Sequence, residues 1–450
     1  MNFANYKFSN KEFYGILSKV QQYATGLSPL FMKLEDDNIA DKNSIRDTIF
    51  SSIEHYLDSN GLQIEGMTTE QLRHRIWLEM KEYSFLSLYL EDPSVEEINI
   101  NKWNDIKIHY DDGRVVACAE QFNSPDHARD ILVRMLHDSR MVWDSSNPTL
   151  VGNLPGNIRI TVLGWGVIDE GIGAAASIRK VNGRQLDKKD FVQKGTATDE
   201  MLEFLITCYT HGISVCVTGA TGSGKTTLVN IIVAEVPYDM RLVTIEQGTR
   251  EFHCEKVDPL TGAALNSVVH MQTKITDDPS KNITQSKLLE LAMTMNPDCI
   301  VVGESKGEEA MQAVNAANTG HSVITTTHAN SCAETYDRFL SLCKQAFPTM
   351  DDKMLMNLIV KAFRIVVFIK KMPDNSRKIL DIVESYKTPD GQIVSNPLYH
   401  YAIRGYKMVD GKRIPEGEFV KTGRPSEELR YRLIENGLDE SDIQGYFQEV

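Results

Sequence analysis

Residues 213 to 234 run from an apolar, β-branched stretch, Ile213-Ser214-Val215-Cys216-Val217, through Gly219-Ala220-Thr221-Gly222-Ser223-Gly224-Lys225-Thr226 into Thr227-Leu228-Val229-Asn230-Ile231-Ile232-Val233-Ala234. The first stretch predicts a buried strand and the last a helix, with a turn of the form G-x-x-x-x-G-K-[ST] between them. That order confines the surrounding domain to an α/β design in which a strand hands its loop directly to a helix. Glycines let successive backbone N–H groups turn inward, and the helix start adds the positive end of its dipole, so Gly219 through Thr227 form a cradle for phosphate oxygens. Lys225 then reaches the β- and γ-phosphates of a nucleotide, and the Thr226 hydroxyl is placed to hold Mg2+.

At 450 residues the chain exceeds one ordinary core, and with 42% hydrophobic and 24% charged residues it is expected to form two or three ordered domains. A formal net charge of -14 argues against a surface committed to nucleic acid, which is not expected as a direct ligand. The cysteines at 118, 208, 216, 254, 299, 332 and 343 include no C-x-x-C pair. Several lie in apolar runs, so they read as reduced core thiols of a cytoplasmic protein, with no zinc site. The chain opens on no basic-then-apolar leader and contains no run of about 18 apolar residues. Membrane association is therefore expected to go through a partner, without direct insertion.

Residues 1–62 carry Ile45, Ile49, Ile53, Tyr56 and Leu57 at helical spacing ahead of Asn60-Gly61, and predict a helical lead-in. Thr68-Thr69-Glu70-Gln71 fits a capping box opening a helix through Leu72, Ile76, Trp77 and Met80. Strands are expected at 97–101, 106–110, 157–162 and 176–180, with a hairpin turn at Asp111-Asp112-Gly113-Arg114 and a helix from Pro125 to about His137. These make an α+β domain over 63–183. The polar stretch 182–187 marks its end.

Beyond it, strands at 213–218, 242–245, 299–302 and 322–326 alternate with helices at 224–235, 285–295 and 307–318, around a loop-rich excursion at 247–282. Such alternation predicts a parallel sheet with ligands at the carboxyl ends of its strands. This domain is assigned to 184–385. Residues 386–450 read as a small C-terminal appendage of short hairpin-like pieces with a helical stretch at 426–448.

Three strand ends carry chemistry. Cys299-Ile300-Val301-Val302-Gly303-Glu304 is an apolar run ending in an acid, where a carboxylate can hold Mg2+ through water or orient the attacking water. Leu242-Val243-Thr244-Ile245-Glu246 offers a second acid, and which of the two is the base stays open. Thr325-Thr326-Thr327-His328 ends in a histidine able to sense a γ-phosphate or stabilise developing charge.

With these motifs in place, Gly219–Thr227, Asn296-Pro297-Asp298 through Glu304, and Thr319-Gly320-His321 through Asn330 resemble the type II/type IV secretion ATPase superfamily, within it the CpaF/TadA-like branch of tight-adherence pilus and conjugation ATPases. Leu90–Asn101, Leu154–Arg159, Ser177–Lys180 and Lys421–Pro425 carry the likeness over roughly residues 63 to 440. The resemblance implies a hexameric, Mg-dependent ATPase, RecA-like behind its N-terminal domain, working with an inner-membrane secretion or pilus platform protein. It gives Glu246, Glu304 and His328 the family's acidic and histidine roles, Lys225 the phosphate-loop lysine's, and Arg159 and Arg179 the role of arginines reaching phosphates from the N-terminal domain.

The chain departs from the family at Gln247 after Glu246, at Ser305-Lys306 where valine and arginine are usual, at Met295-Asn296, which lacks an arginine, and at Asn153 ahead of Leu154. Two further readings stand beside the motor: a nucleotide-gated scaffold with weak hydrolysis, motivated by the missing arginines, and a RecA-like nucleic-acid translocase. No Asn-Lys-x-Asp follows the phosphate loop, which argues against a GTPase.

Overall fold

The computed structural model describes residues 10–35, 41–180, 186–274, 278–409 and 411–447. The chain divides into two compact units, Met1–Arg184 and Gln185–Val450. Of the boundary stretch expected at 182–187, residues 182–185 lie outside the described residues.

The first unit opens with helices α1 (Asn10–Ala24), α2 (Ser28–Glu35), α3 (Lys42–Ser59) and α4 (Thr69–Lys81). Apolar residues of α1, α3 and α4, among them Phe13, Ile53 and Ile76, share one core. The expected capping box at Thr68 and Gln71 starts α4, although that helix packs with the lead-in rather than with the sheet that follows. After α5 (Leu86–Glu91) come β1 (Val95–Lys102), β2 (Asp105–Tyr110), β3 (Val115–Ala117), α6 (Pro125–Asp138), β4 (Thr149–Leu154), β5 (Ile158–Leu163) and β6 (Ala175–Lys180).

These strands form an antiparallel sheet in the order β3-β2-β1-β6-β5-β4. Its apolar face, including Ile98, Ile160 and Ile178, packs on Ile131, Leu132 and Met135 of α6. Its other face carries Glu97, Arg159 and Arg179, as the two-residue period of a half-buried strand requires.

A salt-bridged cluster ties the helical layer to the sheet layer. Buried Glu79 of α4 lies 2.9 Å from Arg75 and 2.5 Å from Nε2 of His127 on α6, while Arg75 also reaches Glu120 at 2.8 Å.

The second unit begins with α7 (Lys188–Gln193) and α8 (Asp199–Thr210), then β7 (Val215–Thr218), α9 (Lys225–Ala234), β8 (Arg241–Glu246) and β9 (Ser267–Gln272). There follow α10 (Gln285–Met293), β10 (Cys299–Val302), α11 (Glu309–Asn318), β11 (Ser322–Thr327), α12 (Cys332–Ala346) and α13 (Asp352–Ala362). The chain continues with β12 (Ile365–Lys371), β13 (Arg377–Lys387), β14 (Ile393–Val409), β15 (Lys412–Lys421), α14 (Glu427–Glu435) and α15 (Glu440–Phe447).

The fifteen strands among the described residues are shared between the first sheet and this one, whose nine run β15-β14-β13-β12-β7-β11-β10-β8-β9. From β12 to β9 neighbours are parallel. Val215 and Val217 face a core shared with α8 and α9, and Cys216 faces a core shared with α10 to α13, so every central strand is buried on both sides. Each such valine or isoleucine contributes about 1.5–3 kcal/mol of burial. This is the α/β, RecA-like arrangement that the sequence predicts, preceded along the chain by the smaller α+β unit.

Two local expectations change. The excursion at 247–282 contains β9, an edge strand with half-exposed side chains and no continuous apolar run. The short pieces after 386 are instead the long strands β14 and β15, which add antiparallel to the sheet through β13. The last helix pair is held on this body: Arg364, 4% exposed, bonds Glu384 at 2.8 Å and, with both terminal nitrogens, Glu428 of α14 at 2.7 and 3.1 Å. No described helix is long and apolar enough to cross a membrane.

Candidate functional site

The loop between β7 and α9 is shaped by backbone that side chains would block. Gly219 has φ +153°, and a Cβ there would sit 2.1 Å from the Ile369 carbonyl of β12; Gly224 has φ +98° and serves as the left-handed cap of α9. Lys225 opens the helix and is 8% exposed. Its Nζ donates to the carbonyls of Gly219 at 2.9 Å and Ala220 at 3.0 Å, which folds the loop around the ammonium. Ser223 Oγ is buried with no hydrogen-bond partner. An orphaned hydroxyl inside a glycine turn at a helix start fits an anionic ligand, since a buried polar atom left alone costs about 1–3 kcal/mol.

Three strand ends meet this loop in register. Thr218 stands opposite Thr327, Thr325 opposite Val302, and Val302 opposite Ile245, so the residues that follow emerge along one edge of the sheet. Hydroxyls lash two of these ends together: Thr326 Oγ1 donates to the Gly303 carbonyl at 2.7 Å and Thr327 Oγ1 to the Ser305 carbonyl at 2.8 Å.

As a result His328 lies between Lys225 and Glu304. Its Nδ1 is 3.4 Å from Lys225 Nζ and its Nε2 2.7 Å from Glu304 Oε1. An ammonium only donates, so Nδ1 accepts and the ring proton sits on Nε2, pointing at the carboxylate. Lys306 Nζ stands 3.6 Å from Glu304 Oε2. The lysine that replaces the family's arginine thus pairs with the acid two residues before it.

Glu246, one strand further along, is not hydrogen-bonded to this group. Its Oε1 accepts from the backbone N–H of Glu251 at 2.5 Å and of Phe252 at 3.0 Å, while Oε2 is buried without a partner. Burial pushes its carboxyl up to about 7 against the downward pull of those two amides.

Thr226 and Thr227 are half-buried in the first turn of α9, and Ala220, Thr221 and Gly222 form the exposed rim of the loop. Arg159 and Arg179 belong to the other unit, where they are direct cross-strand partners on β5 and β6 and both exposed. Glu97 of β1 stands opposite Arg179 on its other side, so the three charges form one row across the sheet.

One residue escapes the sequence reading. The side chain of Arg377, at the start of β13, packs on the loop, with Cγ 3.6 Å from where a Cβ on Gly224 would stand. It lies outside every motif and more than 150 residues from the loop, so no local signal marks it.

A strand edge of this kind, with a glycine-cradled lysine and an acid joined through histidine, defines a nucleotide-binding α/β protein. Residues 157–397 match the type II/IV secretion system protein family, and the chain belongs to that family. Among curated relatives, the conjugal transfer protein TrbB of Rhizobium radiobacter is 28% identical over 309 residues, spanning 67% of this chain and 88% of the relative. The type IV secretion system protein VirB11 of Brucella suis biovar 1 is 24% identical over 286 residues, spanning 57% and 75%. Among solved structures, the Legionella pneumophila ATPase DotB matches with a TM-score of 0.47 at 19% identity, over 80% of this chain and 86% of that one.

Proposed function

We propose that the chain is the ATP-hydrolysing motor of a secretion, pilus-assembly or conjugation system. In this reading residues 184–385 hold the motor, 63–183 the N-terminal domain, and 1–62 and 386–450 flank them. The run Lys225–His328–Glu304 carries the proposal.

The loop amides of Gly219 to Thr227 and the Lys225 ammonium take the phosphates of ATP, and the buried Ser223 hydroxyl gains a partner there. Thr226 and, through water, Glu304 would hold Mg2+, which would supply charge to neutralise the phosphates. Glu304 is the proposed base. Its Oε2 takes the proton of the attacking water, while Oε1 is fixed by the Nε2–H of His328. Lys225 leaves the carbonyls of Gly219 and Ala220 for the phosphate oxygens and stays beside His328, which links phosphate position to the base. In this reading Arg159 and Arg179 supply guanidinium charge to phosphate.

Names of relatives such as TrbB and VirB11 support a role in conjugation or secretion. The proposal extends to a hexameric ring in the cytoplasm, attached to the inner face of the membrane through a platform protein. Purified chain should release phosphate from ATP only with Mg2+. Lys225→Ala should lower turnover about a thousandfold, and Glu304→Gln by about a hundredfold or more. Wild-type chain with no Mg-dependent turnover, indistinguishable from Lys225→Ala, would remove the reading.

The scaffold alternative is favoured by Lys306, which stands close to the base and lacks a bidentate fork. It requires Glu304→Gln to leave transfer or pilus assembly in cells intact, whereas the motor requires loss.

A further inference from the structure

The family match ends at residue 397, and past it β14 and β15 run on as a ribbon. β14 pairs with β13 only as far as His400, but with β15 as far as Val409 opposite Lys412. Residues 401–409 therefore extend about 25 Å, at ~3.3 Å per residue, beside a single neighbouring strand. Two strands alone are marginal in water. The base of the ribbon is secured by Tyr401, 4% exposed, whose ring lies 4.9 Å from that of Phe419.

A register shift between Ile403 and Gly405 inserts one extra residue. On a regular strand positions 403 and 406 would point to opposite faces; the bulge returns Tyr406 and Met408 to the face of Tyr399, Tyr401 and Ile403. The apolar stripe that is buried at Tyr399 and Tyr401 thus continues into solvent, where Ile403 and Tyr406 are each 41% and Met408 62% exposed.

Cations stand on both faces of the ribbon: Arg413, opposite Met408, lies 5.1 Å over the Tyr406 ring, while Lys407 and Lys412, opposite Ile414 and Val409, belong to the face that turns away from the stripe. Arg404 is already paired with Glu418 nearer the base, and Asp410 and Glu416 are the other acids in the sequence of 401–421.

We propose that this ribbon rests on an anionic membrane surface, its Ile403–Tyr406–Met408 face at the acyl boundary and Lys407, Lys412 and Arg413 among the phosphate headgroups. An aliphatic strip with a tyrosine and flanking long cations is the composition of the headgroup level, where stems lie along apolar surface and charges reach outward. The chain's charge of -14 repels such a surface, but that repulsion is screened within about 8 Å at physiological salt, short of the ribbon's reach. This adds lipid contact to attachment through a partner and does not depend on ATP hydrolysis.

Full-length chain should co-sediment with vesicles of phosphatidylcholine containing phosphatidylglycerol, at least about tenfold better than with phosphatidylcholine alone, and less as salt rises. Ile403→Ser/Tyr406→Ser/Met408→Ser and, separately, Lys407→Glu/Lys412→Glu should each weaken binding at least about tenfold, with thermal unfolding and ATP turnover unchanged. Glu304→Gln should bind as wild type, so a failed motor reading and a failed ribbon reading give different results. Equal sedimentation with both vesicle types, or ribbon variants that bind as wild type, overturns the proposal. So does capture of an acidic partner protein through the ribbon by a chain with no affinity for either vesicle.

Discussion

Two buried glutamates, one in each unit, share nearly the same exposure and differ in everything else. Glu79 is 4% exposed and Glu246 2%. Burial raises the proton affinity of both. At Glu79 the hydrogen bond from His127 and the charge of Arg75 more than reverse that, and the carboxyl is held down to about 2. At Glu246 two amides reach one oxygen, no cation bonds the other, and the carboxyl stays near 7. A buried acid is a structural part when cations stand against its carboxylate, and a source of poise when none does.

The largest expected effect comes from removing the answered acid. Glu79→Ala leaves His127 without its carboxylate and Arg75 with Glu120 as its remaining acid, and unfolding of the purified chain should show a loss of about 3–5 kcal/mol. Because the folded carboxyl titrates near 2 and the unfolded one near 4.5, wild-type Glu79 contributes fully above pH 4.5 and loses its contribution as pH falls toward 2.

Glu246 should behave with the opposite sign. Its folded carboxyl titrates near 7, so its contribution is intact below pH 4.5 and declines as pH rises through 7, by up to about 3 kcal/mol. Glu246→Gln keeps the acceptor for the Glu251 and Phe252 amides, and should flatten this slope and stabilise the chain at pH 8 by about 1–3 kcal/mol. A variant that is less stable than wild type at pH 8 would break the comparison.

The smallest effect belongs to the exposed arginines. Arg179→Ala removes both the repulsion from Arg159 and the attraction to Glu97 of β1, and should change stability by only a few tenths of a kcal/mol. Its ATP affinity should fall, which titration with the nucleotide measures. Unchanged affinity would return the pair to the surface of its own sheet.

How far such differences could be read in advance depends on the distance over which they are built. The phosphate loop is local: strand, glycines, lysine and helix lie within residues 213–234, and each local preference agrees with the others. Glu304 and His328 were legible as strand ends because their apolar runs are short and clean. Their hydrogen bond was not, since it depends on threonine hydroxyls that lash β10 to β11.

Edge strands were hardest. β4 contains Gly152 and Asn153, and β9 keeps its side chains half in water, so neither presents the buried run that reveals a central strand. Arg364 finds Glu384 and Glu428 across 20 and 64 residues, a separation that no window on the sequence connects. The same holds for Arg377 beside Gly224.

The cysteines of the second unit give this fold a chemical stratigraphy. Cys208, Cys254 and Cys299 lie beneath one face of the nine-stranded sheet and Cys216, Cys332 and Cys343 beneath the other. Burial holds all six thiols above their ordinary range, so an alkylating reagent meets them only after the layer above has lifted. The order in which they are capped would record which side of the sheet opens first.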